Sequence, residues 1–199
     1  MKYLFPILLL SLMIGSCCKD NSDLIPGQDF IPDDILKDIK ANGQIIYDGF
    51  DPPMIEGRYL MTPVLLVSSN FNDPLQIGHQ FVDACIEFTE FNPNNLTLKA
   101  NINEGGELDG HGYGGFISGK GDNFTIYIKL ENEDKEGHKV LQADVYSGTL
   151  EPGGIRNLQR SVFMIDDHGD PNGDYIENGQ GRLAKDGDGF SEKITSPCF

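Results

Sequence analysis

The sequence predicts an all-β domain, an antiparallel meander closing into an eight-stranded barrel behind one short N-terminal helix. Three observations lead there. Several segments alternate apolar and polar residues with period two, which puts one face in a core and the other in water. The connections between them are short and rich in Gly, Pro, Asn and Asp. No helical periodicity separates the candidate strands after residue 43. Closure also removes the exposed sheet edges that an open meander would present. A two-sheet β-sandwich gives a similar pattern and is the alternative fold.

The chain opens with Lys2 and a run over residues 3–14 that is apolar except at Pro6 and Ser11. That run is too short to span a bilayer, which needs about 20 residues. It has the length and flanks of a secretory signal peptide. The following Ile14-Gly15-Ser16-Cys17 resembles a bacterial lipobox, which implies cleavage before Cys17 and lipidation of its thiol. Residues 1–16 are therefore expected to be a lipoprotein signal peptide, 17–31 a lipidated tether, and 32–199 the β domain. Lys19-Asp20 with Asp23 resembles the charged export signal of Bacteroidetes-type surface lipoproteins, while an ordinary hydrophilic spacer has the same composition. The expected location is the outer membrane, held by lipid, with cell-surface exposure as one of two orientations. The membrane is then a partner through the lipid alone.

Residues 32–42 carry the helix. Pro32, Asp33 and Asp34 favour its start, Ile35, Leu36 and Ile39 form a narrow apolar stripe, and Gly43 stops it. Residues 58–68 are β-rich, with Pro63 marking a bulge or edge. In 80–91, Val82, Ala84, Ile86 and Phe88 share one face. In 96–103, Leu96, Leu98, Ala100 and Ile102 do so, and in 124–131, Phe124, Ile126, Ile128 and Leu130. The polar partners of these residues, Thr125 and Tyr127 among them, are expected to face water. Further strands are expected at 112–118, 140–150, 157–166 and 175–184, with a short piece at 190–194.

Removal of 16 residues from the 199 leaves 183, enough for one self-supporting core. The net charge becomes −17, from 14 basic and 31 acidic residues. Nucleic acid is excluded as a partner, because phosphate binding needs Lys and Arg. Of four cysteines, Cys17 belongs to the lipobox and Cys18 adjoins it in the tether. In an oxidising compartment, Cys85 and Cys198 either form a disulfide that ties the C-terminal tail to a central strand, or remain separate thiols.

No catalytic constellation stands out, and the chain reads as a non-enzyme. Gly110-His111-Gly112-Tyr113-Gly114-Gly115 satisfies G-x-G-x-x-G, and 114–121 nearly matches a P-loop. Both motifs require a helix N-terminus to follow, and an alternating strand follows instead. His79, His111, His138 and His168 are scattered, without zinc-ligand spacing. A hydrolase would need titratable groups clustered in a cleft, and no G-x-S-x-G elbow is present. The acidic stretch 166–188 is the one candidate metal site: Asp166, Asp167, Asp170, Asn172 and Asp174 could supply oxygens to calcium, or simply form solvated turns. Tyr59, Tyr113, Tyr127 and Tyr146 could line a ligand pocket, or fill the core.

Three pieces carry a resemblance: Pro52-Pro53-Met54-Ile55-Glu56-Gly57-Arg58-Tyr59 entering the first strand, Ile117-Ser118-Gly119-Lys120-Gly121 before Phe124-Thr125, and Asn178-Gly179-Gln180-Gly181-Arg182. With them the chain resembles the lipocalin-like (calycin) β-barrel lipoproteins of gut-type Bacteroidetes, whose functions are uncharacterised. Lipocalins place Trp in the first strand where this chain has Tyr59. The expected function is a lipid-anchored envelope module that binds a small apolar or amphipathic ligand in the barrel mouth. The alternative is a surface interaction protein that binds protein or glycan through its acidic loops.

Overall fold

The computed structural model describes residues 30–106, 108–134, 136–170 and 173–198. Cys17, the signal segment and the tether up to residue 29 lie outside the described residues.

Among the described residues, one α-helix, α1 (Asp33–Ala41), comes before the strands. The strands follow as β1 (Phe50–Asp51), β2 (Gly57–Met61), β3 (Val64–Ser69), β4 (Gln80–Phe81), β5 (Ala84–Asn92) and β6 (Thr97–Glu104). Then come β7 (Leu108–Lys120), β8 (Asn123–Asp134), β9 (Lys139–Glu151), β10 (Gly154–Asp166), β11 (Gly181–Asp186) and β12 (Phe190–Ile194). The domain is all-β, in a single hydrogen-bonded sheet.

The twelve strands amount to eight continuous paths plus the short β1, because three of the paths are bent. Met61 pairs with Ala84 between β2 and β5, and Val64 pairs with Phe81 between β3 and β4. Three residues elapse on each side, so the register carries across both bends. Between β11 and β12 the chain bulges. Arg156 pairs with Phe190 on β12, and Gln159 already pairs with Lys185 on β11. On its other side the same path meets β2 and β3, through Leu60 with Glu192 and Val64 with Asp186. Each path is antiparallel to the next, and the eighth pairs with the first. The sheet is a closed ring of eight strands, and a two-sheet sandwich does not describe it. Outside the ring, β1 pairs in parallel with β7.

The expected alternation holds on the inner face. Ile86, Phe88, Leu98, Ala100, Ile102, Phe124, Ile126, Ile128 and Leu130 are all buried in one cluster inside the ring. Val82 departs from its expected face: it sits in the bend between β4 and β5 and is 49 % exposed. The outer face departs too. Thr125 and Tyr127 are fully buried where solvent was expected. The reason is α1, whose Ile35, Leu36 and Ile39 pack with Ile31 onto Tyr127, Ala143, Val145 and Phe163 on the outside of β8, β9 and β10. Full burial of one such side chain stabilises by about 1.5–3 kcal/mol. The segment leaving the helix then satisfies the polar residues it covers. Gln44 donates to the Ser147 hydroxyl at 2.6 Å and accepts from Ser161 at 2.8 Å. The Tyr47 amide donates to Thr125 at 2.7 Å, and Ser118 donates to the Tyr47 carbonyl at 2.8 Å.

The glycines of the G-x-G-x-x-G match lie within β7, where Gly110, Gly112 and Gly115 allow close packing and Gly114 takes a positive φ of 120° in open space. A Cβ on Gly112 would lie 2.9 Å from both the Ala100 carbonyl oxygen and Ile128 Cγ2, and one on Gly115 2.9 Å from Ile128 Cγ1. Residues 119–121 continue into the turn to β8, and no helix follows.

Cys85 on β5 is bonded to Cys198 in the tail beyond β12, with Cα atoms 5.6 Å apart. The link spans 113 residues of sequence, so it removes much chain entropy from the unfolded state. Replacing both cysteines with alanine is expected to lower the unfolding free energy by about 2–5 kcal/mol in guanidinium titrations. The far-ultraviolet circular dichroism of the folded protein should be unchanged.

Candidate functional site

The lower part of the ring interior is packed solid. Tyr59, Phe88 and Tyr146 stack there with ring centroids 6.1 and 5.6 Å apart, and the Tyr59 hydroxyl donates to the Ile55 carbonyl at 2.9 Å. The interior is hollow at the end where β6 finishes, β9 begins and the three bends lie. There a cavity of about 200 Å³ is walled by Val64, Ala84, Val162, Met164, Ile176 and Ala184. Phe81, Val82 and Tyr175 also line it, together with the polar residues Glu104, Gln142, Arg160, Asp174 and Arg182.

The bends that frame this mouth are held by Asp186, which is 3 % exposed. Its Oδ2 accepts from the Ser191 hydroxyl at 2.7 Å and the Thr62 amide at 3.3 Å. The Gly187 amide donates to the Pro63 carbonyl at 2.8 Å. Burial, chiefly, pushes the Asp186 carboxyl up from its ordinary value.

Arg160 forms the floor. Its Nε donates to Asp144 Oδ2 at 2.7 Å, and Nη1 donates to Glu104 Oε1 at 2.7 Å. The Tyr146 hydroxyl donates to the same Asp144 oxygen at 2.9 Å. The Asp144 side chain is fully buried and that of Arg160 5 % exposed, whereas Glu104 keeps 24 % exposure. Burial pushes the Asp144 carboxyl up, and Arg160 pulls against it. Arg160 Nη2 and Asp144 Oδ1 are buried without a hydrogen-bond partner among the described residues. Beside the floor, Asn132 donates to Gln142 in a buried amide pair.

At the rim, Arg182 makes a bidentate pair with Asp73, at 2.7 and 3.0 Å. The Arg182 guanidinium holds the Asp73 carboxyl well below the usual carboxylate range. Loop 167–180 reaches the mouth through Tyr175, whose hydroxyl donates to Asp134 Oδ2 at 2.7 Å. That hydrogen bond is the main cause holding the Asp134 carboxyl at about 2.

Of the four tyrosines that could line a pocket or fill the core, Tyr59, Tyr127 and Tyr146 do not border this cavity. Tyr59 and Tyr146 fill the packed part of the ring, and Tyr127 points outward under α1. Their burial explains the placement: each ring supplies packing area, and none of the three borders the cavity. The Tyr113 side chain lies outside the described residues. The signal that could have found the true lining is register: Glu104 continues the inward series Leu98, Ala100, Ile102, and Arg160 falls in step with Leu158, Val162 and Met164, so each charge interrupts a core-facing alternation.

In the acidic loop, the carboxylates of Asp166, Asp167 and Asp170 are engaged by amides of their own turns. Asp166 Oδ1 accepts the His168 amide, Asp167 Oδ1 the Gly169 amide, and Asp170 the amides of Asp174 and Tyr175. These carboxylates fold their own turns, as Asp does through local side-chain bonds. No group of three or more His, Cys, Asp or Glu among the described residues is arranged to hold a metal. Asn172 lies outside the described residues. The histidines are dispersed as well: His79 packs on Phe81, His111 meets Asn101, His138 meets Asp134, and His168 meets Asp166.

No described helix is long and apolar enough to cross a membrane. Compared with known protein families, with curated proteins and with solved structures, the chain matches none.

Two outcomes follow from the charges. Arg160→Met leaves Asp144 buried without its partner, so a loss of about 3–5 kcal/mol is expected by denaturant unfolding. The double variant with Asp144→Leu should recover much of it. The second outcome concerns acid. The Asp73 carboxyl is depressed in the folded state, so its contribution is present above the unfolded carboxylate value and lost as pH falls through the folded one. Asp73→Asn should flatten the decline in stability below about pH 4, near the unfolded value, measured by thermal unfolding across pH.

Proposed function

We propose that this chain is a lipid-anchored lipoprotein of the cell envelope, a lipocalin-like binding module without enzymatic chemistry, that holds a small apolar or amphipathic ligand in the mouth of its strand ring. The observation that carries this reading is the cavity of about 200 Å³ at one end of the ring. Eight strands leave an interior that side chains can fill or that can take one small ligand, and this ring is filled at one depth and hollow at another. Apolar walls with a few convergent polar groups are the usual make-up of a small-molecule site. The volume falls below the range of about 300–1,000 Å³ found for drug-sized ligands, so the occupant is compact and not a long acyl chain.

The reading as a surface interaction protein working through acidic loops has less behind it. The carboxylates of Asp166, Asp167 and Asp170 engage amides of their own loop, which accounts for their density without a partner.

Native mass spectrometry of the protein purified from its host membranes tests both parts of the proposal. The expected spectrum shows a chain cleaved before Cys17 with acyl mass on that residue, and a small molecule that leaves as collision energy rises. A mature chain without acyl mass overturns the anchor. Binding is overturned if no small molecule is retained and 2-phenylethanol also fails to shift the methyl resonances of Val64, Ala84 and Val162.

A further inference from the structure

The charges around the mouth do not balance, and the imbalance points to the chemistry of the occupant. Glu104, Arg160, Asp174 and Arg182 line the cavity. Both guanidiniums are already paired in charge: Arg182 faces Asp73 through two hydrogen bonds, and Arg160 is shared between Asp144 and Glu104, although its Nη2 has no hydrogen-bond partner among the described residues. Four carboxylates therefore surround two guanidiniums. Even with a proton on the buried Asp144, one negative charge is left over. The excess lies on the residues that reach the opening. Asp174 is exposed, and its carboxylate has no hydrogen-bond or ion-pair partner among the described residues. Glu104 keeps 24 % exposure, with only Oε1 engaged among the described residues.

The remainder of the wall is apolar, and Phe81 and Tyr175 add aromatic rings. Ring faces attract cations, as the Arg182 guanidinium 5.9 Å from the Phe81 centroid illustrates. A low-dielectric cleft with a net excess of one sign of charge concentrates the opposite sign. The chain's net charge of −16 adds a field of the same sense at longer range.

Building on the reading of this mouth as a ligand site, we propose that its occupant is a small organic cation, an ammonium group on a compact apolar body. The ammonium is held by the carboxylates of Glu104 and Asp174, and the body lies against Val64, Ala84 and Val162. Arg160 and Arg182 serve as scaffold, because each is already matched by carboxylates.

Isothermal titration calorimetry on the full-length protein tests this with three probes that share one ring body: 2-phenylethylamine, 2-phenylethanol and phenylacetate. The amine is expected to bind at least about tenfold more tightly than phenylacetate, a difference of about 1.4 kcal/mol, and to weaken as salt rises. Asp174→Asn, an exposed change that leaves the fold intact, should weaken the amine by about threefold. Glu104→Gln should weaken it further. Phenylacetate or 2-phenylethanol binding as tightly as the amine overturns the assignment and leaves a ligand site in place. Amine affinity unchanged in both variants also overturns it, by placing the cation elsewhere. If no probe binds, the assignment falls, and the native mass spectrum of the host-purified protein judges the mouth independently.

Discussion

Closure of the last strand onto the first is the constraint on which the rest of the fold depends. Glu192, Lys193 and Ile194 pair with Leu60, Tyr59 and Arg58, and this joint converts a meander with two open edges into a ring. Open edges expose unpaired amides and carbonyls that invite association with other chains. The joint unites residues separated by most of the domain, so it forms only when the C-terminal strand is available. Contacts of such long sequence separation slow folding. The Cys85–Cys198 bond secures the same region from outside the ring, since β2 lies between β5 and β12. Covalent and hydrogen-bonded closure therefore act on one joint.

The mouth follows from how the ring bends. Three of its eight paths are interrupted at similar height, at residues 62–63, 82–83 and 187–189. Asp186 ties two of these interruptions together through Thr62 and Ser191. Away from the bends, the inward side chains are large and meet across the lumen. Near them, the inward positions are Val64, Ala84 and Ala184, whose small side chains leave room. A change in backbone path and a change in side-chain size coincide, and the cavity lies where they do.

Much of this fold was legible from residue order. Period-two alternation over 124–131 identifies the inward residues of β8 correctly, and Pro32, Asp33 and Gly43 bracket α1 within a residue at each end. The outer face was less legible, because a strand pattern does not say what lies on top of it. Thr125, Ser147 and Ser161 carry hydroxyls that suit water, yet here they bond to the segment after α1. The mouth was the least legible part. Its lining comes from residues spread between 64 and 184, and no local motif unites them. Tyrosine was the obvious pocket residue by type, but size favours the packed interior for Tyr59 and Tyr146, while the charged Glu104 and Arg160 need the less crowded end.

Arg160 taken alone would suggest an anionic ligand, since a guanidinium deep in an apolar ring is a strong donor. Its surroundings argue otherwise. An anion at Arg160 would compete with Asp144 at 2.7 Å and Glu104 at 2.7 Å, both in a setting where like charges repel strongly. Displacing either would leave a carboxylate unpaired in or near the interior, which costs several kcal/mol. The buried pair itself adds little net stability, because desolvation offsets most of its attraction. Its stronger consequence is positional. Asp144, fixed by Tyr146 and Arg160, sets the guanidinium, and the guanidinium sets Glu104 at the wall of the mouth. A carboxylate held in place in this way at the wall of the mouth, with Oε1 engaged, is preorganised to receive a hydrogen-bond donor or a positive charge without first losing its own freedom.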